Sequence, residues 1–328
     1  MPPKTETIWF DGRWVPWDEA KVHVLVHGLH YGTGAFEGIR CYRTAEGPAL
    51  FRLEDHLTRW FRSTAYLFLT IPYEPAHLAQ ICHHAIVKNG LDEGYVRPVA
   101  FYGLGGMNFS FRDNAVHVAV AVWPWGAYLG EEGMRRGIRV KTASWAKTST
   151  NAIPSAAKIA GAYVNSCLAY QEAMRAGFDE ALLLNENGTV AEGTGENVFI
   201  VRDGTVLTPP SADHLVPGIT RDSVMRLALD LGYAVRETSL SRSDLLAADE
   251  LFLTGTAAEV TPVRELDYHP IGTEGVGPVT QELRQAFLSA VHGEDPRYRE
   301  WLSYIGRGVS SDERTVRARV KSAPAVSD

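Results

Sequence analysis

Cysteine is scarce in this 328-residue chain: Cys41, Cys82 and Cys167 are odd in number, lie far apart and form no CxxC pair. Such a set argues against a disulfide framework or a zinc knuckle and fits a reducing compartment. Long apolar runs are missing too. The most apolar stretch, AVHVAVAVWPW at 115–125, falls far short of a bilayer span and is broken by His117 and Pro124. There is no excess of positive charge. A net charge of −7 and a pI near 5.9 give no electrostatic reason to expect a nucleic acid or an anionic membrane as partner. The N-terminal MPPKTETIWFDG has no apolar h-region, so no secretory signal is expected. These absences lead to the expectation of a cytoplasmic protein that handles small molecules.

What is present is an ordinary globular composition, 45% hydrophobic and 22% charged, in a chain long enough for two domains. TIWFDGRWVP reads as a hairpin turning at Asp11-Gly12, and FEGIRCYR with PALFRL as a second. LEDHLTRWFRSTAYLF (53–68) reads as a helix with Leu53, Leu57, Trp60, Phe61 and Leu67 near one face. PAHLAQICHHAIVKNG is a second helix capped at Gly90, and GYVRPVAFYG and NAVHVAVAVWPW are strands. A Gly- and charge-rich connector follows. Beyond it come the strand RVKTASWAK, a helix over IAGAYVNSCLAYQEAMRAG, hairpins at Asn187-Gly188 and Asp203-Gly204, and a helix after Thr220. LSRSDLLAADE (short helix), ELFLTGT (strand) and GPVTQELRQAFLSAVHG (long helix) complete the pattern. Hairpins with separate helices predict an α+β class rather than an alternating doubly wound sheet. The expected division is 1–126 as a small domain, 127–137 as connector, 138–306 as a large domain and 307–328 as a disordered tail.

One lysine stands apart. Between Thr148 and Gln171 the sole Asp, Glu, Lys or Arg is Lys158, set in PSAAKIAGAYVNS among small and apolar residues. A surface lysine at a helix start is the ordinary explanation. A desolvated amine, in contrast, is nucleophilic and suits Schiff-base chemistry with a carbonyl or pyridoxal phosphate. Two turns add to it. LVPGITRDS places Gly218, Ile219 and Thr220 just ahead of a helix, and LTGTAAEV offers Gly255, Thr256 and the N–H groups of Ala257 and Ala258. Either turn could be plain capping; together with the lysine they suggest an anion cradle. Arg59, on a helix, would supply charge to a phosphate unless it is simply solvated. In VAEGTGENVF, Glu192 or Glu196 would be a carboxylate for a pyridine nitrogen, or just a polar hairpin end. His23, His27 and His30 have helical spacing, but KVHVLVHGLHYGTG is β-branched and glycine-ended, with no HExxH frame. No metal site is expected there.

Taken in order, HGLHYGTGAFEGIRCY, YVRP, WPWGAYLG, AAKIAGAYVNS, EGTGEN, PGITRD and GTAAEVTPV cover the chain from about Ile8 to about Ile305. In these motifs it resembles the class IV, fold-type IV pyridoxal-phosphate aminotransferases, most closely the bacterial branched-chain amino-acid aminotransferases. The resemblance implies a small α/β domain, a larger domain with a β-barrel-like core, and pyridoxal 5'-phosphate at their interface. It implies that Lys158 bonds the cofactor aldehyde and shuttles the α-proton. Glu192 would hold the pyridine nitrogen, Tyr163 would hydrogen-bond the ring's phenolic oxygen, and Val216 would pack on the ring. Arg59, Ile219, Thr220 and Thr256 would bind the phosphate.

The same resemblance puts Tyr95 and the Thr256–Ala257–Ala258 backbone at the substrate α-carboxylate. Tyr31, Phe36, Gly38, Trp125 and Tyr128 would wall an apolar side-chain pocket, and Arg97 would take the distal carboxylate of glutamate or 2-oxoglutarate. Tyr31 and the loop near Met107 would reach a neighbouring subunit's pocket, implying at least a homodimer and possibly a hexamer. Phe109 departs from the family pattern, where a smaller apolar residue is common, and is expected to narrow the pocket or to shift preference among Leu, Ile, Val, Phe and Met. The implied reaction is ping-pong amino transfer between L-Leu, L-Ile or L-Val and 2-oxoglutarate. A D-amino-acid or (R)-amine transaminase, or aminodeoxychorismate lyase, shares the fold, but intact YVRP and GTAAE favour the L-branched-chain activity. A non-catalytic phosphate-ligand binder would be expected to have replaced Lys158 or Glu192.

Overall fold

The computed structural model describes residues 3–126, 130–272 and 276–306. Tyr128, the start of the expected connector and the tail from 307 lie outside the described residues. The first half runs β1 (Thr7–Phe10), β2 (Arg13–Pro16), α1 (His27–Tyr31), β3 (Gly34–Phe36), β4 (Ile39–Thr44), β5 (Gly47–Phe51), α2 (Leu53–Tyr66), α3 (Pro75–Lys88), β6 (Gly94–Tyr102) and β7 (Val116–Trp123). The second runs α4 (Gly130–Arg136), β8 (Ile138–Thr142), α5 (Tyr163–Arg175), β9 (Glu180–Leu184), β10 (Val190–Gly193), β11 (Asn197–Arg202) and β12 (Thr205–Thr208). It continues with α6 (Ile219–Asp230), β13 (Ala234–Glu237), α7 (Arg242–Leu246), β14 (Glu250–Gly255), β15 (Glu259–Leu266), β16 (His269–Pro270), α8 (Pro278–Val291) and β17 (Leu302–Tyr304).

Turn chemistry sets the hairpins. Asp11 and Gly12 have φ of +46° and +85°, and Asp203 and Gly204 have +49° and +70°. Both pairs therefore meet the double positive-φ demand of tight hairpins that follow strand twist. The Asn187-Gly188 hairpin differs. Only Gly188 has positive φ, and Asn185 N–H reaches Thr189 O at 2.8 Å across a longer loop.

Among the described residues these strands form two sheets. The first has the order β17-β5-β4-β6-β7-β1-β2, with β3 on β6. The second has the order β10-β9-β8-β15-β14-β11-β12-β13, with β16 on β15, and one of the two sheets curls into a half-barrel. The class is α+β with two sheet-centred domains, as expected from the pattern. The last strand crosses back: Leu302 pairs with Phe51 of β5 in the first sheet. The segments of α1, β3, α4, β13, β15, β16 and β17 are not among the expected elements; all but the seven-residue α4 and the eight-residue β15 have five residues or fewer.

Strand alternation joins the two halves. On β4 and β5, Cys41 and Leu50 pack with α2 and α3 residues such as Leu57, Trp60 and Ile81. Their neighbours Tyr42, Ala49 and Phe51 point the other way, into a core with Phe199 and Phe252 of the second sheet and Leu227 and Phe287 of α6 and α8. A sheet buried on both faces has no need of polar alternation, which accords with the apolar PALF run of β5. Helix α2 buries Leu53, His56, Leu57, Trp60, Ser63 and Thr64, the i, i+3, i+4 stripe of a helix lying on a sheet. Arg59 lies at the edge of that stripe, and this aims it at the seam between the sheets. Cys41 and Cys82 are buried and Cys167 is exposed, all as free thiols. No described helix is long and apolar enough to cross a membrane.

Candidate active site

A cavity of about 310 Å³ opens at the seam, within the size range of small-molecule sites. Lys158 lies on it, just ahead of the helix expected from Ile159, and that helix starts later than expected. A 3-10 turn covers Ala160–Ala162, and α5 starts only at Tyr163. The reason is a close backbone approach. Gly161 N–H donates to Gly32 O at 3.1 Å, and a Cβ on Gly32 would fall 2.5 Å from Gly161 Cα. Lys158 itself is stitched to the first half of the chain. Its N–H donates to Ser63 Oγ of α2 at 2.9 Å, and its carbonyl accepts from Phe36 N–H at 3.2 Å.

The lysine amine donates to Tyr163 Oη at 2.6 Å and sits 5.3 Å from the Phe36 ring centroid. Burial, followed by the nearby Arg59 charge, holds its pKa below the ordinary lysine value, although Glu37 opposes the effect. Burial pushes the Tyr163 phenol upward, helped by the Glu192 charge. Both groups are thereby driven toward their neutral forms.

Arg59 reaches the cavity from α2. Its Nε and one terminal nitrogen donate to the two oxygens of buried Glu37 at 2.7 and 2.9 Å, and the other terminal nitrogen donates to Pro217 O at 2.8 Å. Burial alone would raise the Glu37 pKa, but Arg59 and His56 outweigh it and hold the carboxyl far below the usual range. Opposite Arg59 lies the start of α6, uncapped by any side chain, with Gly218 at the N-cap and Ile219 and Thr220 inside the first turn. The helix thus begins two residues earlier than expected, at Ile219 rather than Arg221, and its first N–H groups have no intrahelical acceptor. Gly218 has no room for a side chain, since a Cβ would lie 2.0 Å from Asn197 Oδ1. The β14–β15 turn adds Gly255, Thr256 and Ala257 to the lining; Ala258 is buried behind it. Thr254 Oγ1, also on the lining residues, is buried with no hydrogen-bond partner. An uncapped helix start, a guanidinium and an orphan hydroxyl fit an anion such as a phosphate.

At another part of the cavity wall, Glu192 on β10 is buried. Its Oε2 accepts from Val216 N–H at 3.0 Å and from the Asn197 amide at 3.3 Å, while Lys147 pairs with Oε1. Glu196 also lines the cavity, but burial and the neighbouring Glu180 push its pKa well above the usual carboxylate value. Of the two acids left open by the sequence, Glu192 is the one with an ammonium partner.

A third region gathers Phe36, Gly38, Tyr95, Arg97 and Trp125 on the lining. The Arg97 guanidinium lies 4.7 Å from the Phe36 centroid and 5.4 Å from that of Tyr95, and its Nε is buried without a hydrogen-bond partner. Tyr31 and Phe109 do not join them. They pack on each other at 5.7 Å, 42% and 86% exposed, so Phe109 does not narrow the cavity of its own chain. The histidines are otherwise engaged, and two share α1 after all. His27 contacts Thr33 Oγ1 at 2.7 Å and Asn108 O at 3.0 Å, His30 contacts Val24 O at 2.9 Å, and His23 Nδ1 accepts from Leu25 N–H at 3.1 Å. Among the described residues no group of three or more His, Cys, Asp or Glu could hold a metal.

Sequence reasoning missed Glu37, Lys147 and Asn197 as parts of this site. Glu37 had a signal: a lone acid inside the apolar strand segment GAFEGI requires a buried cation. Lys147 and Asn197 had none, because their meaning depends on Glu192 being near them in space.

Comparison with known proteins agrees with this geometry. The family described as amino-transferase class IV matches residues 34–266. The branched-chain-amino-acid aminotransferase of Pseudomonas aeruginosa is 43% identical over 305 residues, 93% of this chain and 99% of its own. The crystal structure of the Escherichia coli branched-chain amino acid aminotransferase superposes with a TM-score of 0.90 at 43% identity, covering 92% of this chain and 100% of that one. The corresponding T.th. enzyme, complexed with N-(5'-phosphopyridoxyl)-L-glutamate, gives 0.89 at 47% identity, covering 92% and 99%. A lysine amine, an anion cradle and a buried carboxylate around one cavity, within a match of this extent, place the chain in the class IV aminotransferase family.

Proposed function

We propose that this chain is a branched-chain amino-acid aminotransferase that uses pyridoxal 5'-phosphate and moves an amino group between L-Leu, L-Ile or L-Val and 2-oxoglutarate in ping-pong half-reactions. The observation that carries the proposal is the Lys158 amine, kept toward its neutral form inside a cavity that also holds an anion cradle. The relatives named above support the substrate class, and the glutamate-linked phosphopyridoxyl compound bound by one of them supports cofactor and co-substrate.

Pyridoxal phosphate, when bound, supplies an aldehyde to accept the amino group and a ring that draws electron density from the substrate Cα. Two lysines face the cavity, and their surroundings assign them different work. Lys147 is tied to the Glu192 carboxylate as an ammonium. The Lys158 amine has, among the described residues, the Tyr163 phenol as its hydrogen-bond partner and no carboxylate, so it is the nucleophile and then carries the proton at the substrate Cα. Arg59 with the N–H groups of Ile219, Thr220 and Thr256 holds the phosphate, Glu192 the ring nitrogen, Tyr163 the ring oxygen, and Val216 the ring face.

The Tyr95 hydroxyl and the N–H groups of the Thr256–Ala258 turn orient the α-carboxylate. Phe36, Gly38 and Trp125 give apolar walls for a branched side chain, and Arg97 receives the distal carboxylate of the co-substrate bidentately. Tyr31 and Phe109, exposed here, are placed to complete the pocket of a second copy, in a homodimer or a larger assembly; Tyr128 would add to the same wall. The proposed setting is the cytoplasm. Residues 1–126 and 138–306 would act as the two domains closing on the cofactor, with 127–137 between them.

The test is the visible spectrum of the purified protein with pyridoxal phosphate. L-leucine should bleach the cofactor band and 2-oxoglutarate should restore it, while D-alanine and (R)-1-phenylethylamine leave it in place. Bleaching by D-alanine but not by L-leucine would assign the chain to the D-amino-acid branch of the fold.

A further inference from the structure

Lys147 and Glu192 are 45 residues apart in sequence, yet form a nearly buried ion pair on the cavity wall, with side chains 13% and 7% exposed. An exposed ion pair would mean little, but a pair taken out of water is costly unless its geometry is fixed. This one is fixed on both sides. Lys147 N–H donates to Leu184 O at 2.8 Å, and its neighbours are pinned to α5: Thr148 N–H donates to Asn165 Oδ1 at 3.1 Å and the Asn165 amide to Ala146 O at 3.0 Å. On the acid, Oε2 is taken by Val216 N–H and the Asn197 amide, so Lys147 is the hydrogen-bond partner of Oε1.

We propose that Lys147 is a positioning residue: its ammonium neutralises the buried Glu192 carboxylate and fixes its oxygens for a protonated ring nitrogen. The inference rests on the proposed placement of pyridoxal phosphate against Glu192. Without the ammonium, Oε1 of Glu192 loses the partner that holds it, and the carboxylate is anchored through Oε2 by Val216 N–H and the Asn197 amide, so its aim at the ring nitrogen is lost. The effect of losing Lys147 therefore depends on the ring nitrogen itself, which a merely structural lysine would not show.

The experiment is a fluorescence titration of the full cofactor-free chain with pyridoxal phosphate and with 1-deazapyridoxal 5'-phosphate, which lacks the ring nitrogen. Wild type, Lys147→Met and Lys147→Arg are compared, with thermal melts to verify folding. Loss of a charge-assisted contact predicts about tenfold weaker pyridoxal phosphate binding for Lys147→Met. Lys147→Arg should stay within about threefold of wild type. Both variants should bind the deaza compound as wild type does. Equal pyridoxal phosphate affinity for Lys147→Met and wild type, or equal weakening toward both compounds, would overturn the assignment of Lys147 alone. If wild type binds no pyridoxal phosphate, the proposed function falls as well.

Discussion

The Lys158 amine and the Tyr163 hydroxyl are hydrogen-bonded at 2.6 Å, five residues apart across the junction between an extended segment and α5. The same burial moves them in opposite directions, the lysine down and the tyrosine up, so neither carries a charge easily. A neutral amine is a nucleophile, and a neutral phenol remains a donor for an oxygen on a bound ring. Tyr163→Phe keeps the ring contact with Phe36 at 4.8 Å and removes only the hydroxyl. Loss of one such hydrogen bond, about 1.5–3 kcal/mol, predicts a roughly ten- to hundredfold slower half-reaction with L-leucine. Stopped-flow measurement at unchanged thermal stability checks this.

Glu37 and Arg59 test the cradle. Glu37 accepts from Arg59 twice and from Gly38 N–H at 3.3 Å, and its Oε2 lies 2.8 Å from His56 Nδ1. Glu37→Gln leaves the Arg59 charge without its counter-ion in a buried place. Breaking a pair of that kind costs about 3 kcal/mol, to be read as a lower midpoint in urea denaturation. Cofactor affinity should weaken with it, because the guanidinium is no longer held in its fork. A change below about 1 kcal/mol would mean that water reaches the pair.

Gly38 tests the substrate wall. A Cβ on Gly38 would fall 1.7 Å from Tyr95 Oη, so Gly38→Ala displaces the tyrosine assigned to the α-carboxylate. Tyr95 is itself packed on Trp125 with centroids 4.8 Å apart and has little room to retreat. The expected outcome is a KM for L-leucine raised about tenfold or more, since an orienting contact worth over about 1.4 kcal/mol is lost. Cofactor binding, which does not use this wall, should stay at the wild-type level.

Glu180 gives a pH signature. Burial raises its pKa from 4.5 to about 7, and its Oε2 has no hydrogen-bond partner. Between these two values the folded chain holds a proton that the unfolded chain has released. The contribution of Glu180 is therefore fully present below pH 4.5 and is lost as pH rises through about 7. Glu180→Gln retains an acceptor for Ala181 N–H and Thr194 Oγ1, both at 2.7 Å in wild type. The variant should lose less stability than wild type between pH 5 and 8 in parallel melts. Parallel curves for the two proteins would contradict it.

Much of this arrangement was legible in the residues, and the boundary follows physical lines. Asp11-Gly12 and Asp203-Gly204 declared their hairpins because few other pairs adopt positive φ twice. The α2 stripe was readable from its period. Lys158 announced itself by isolation, and the uncapped start of α6 by Gly218. What stayed hidden depended on contacts distant in sequence. The start of the helix over IAGAY gave way to a bridge at Ile159 and a 3-10 turn over Ala160–Ala162 where Gly32 and Gly161 touch, and β17 is too short to signal the partner it finds in β5. Lys147 gains its meaning from Glu192, 45 residues on.

The central claim is that Lys158, and not its cavity neighbour Lys147, bears the cofactor. Borohydride reduction of the protein loaded with pyridoxal phosphate, followed by digestion and peptide mass spectrometry, locates the pyridoxyl group directly. The label is expected on Lys158 in the peptide containing PSAAKIAGAY, in near-stoichiometric yield. A label on Lys147, or none in a protein that binds the cofactor, would contradict it.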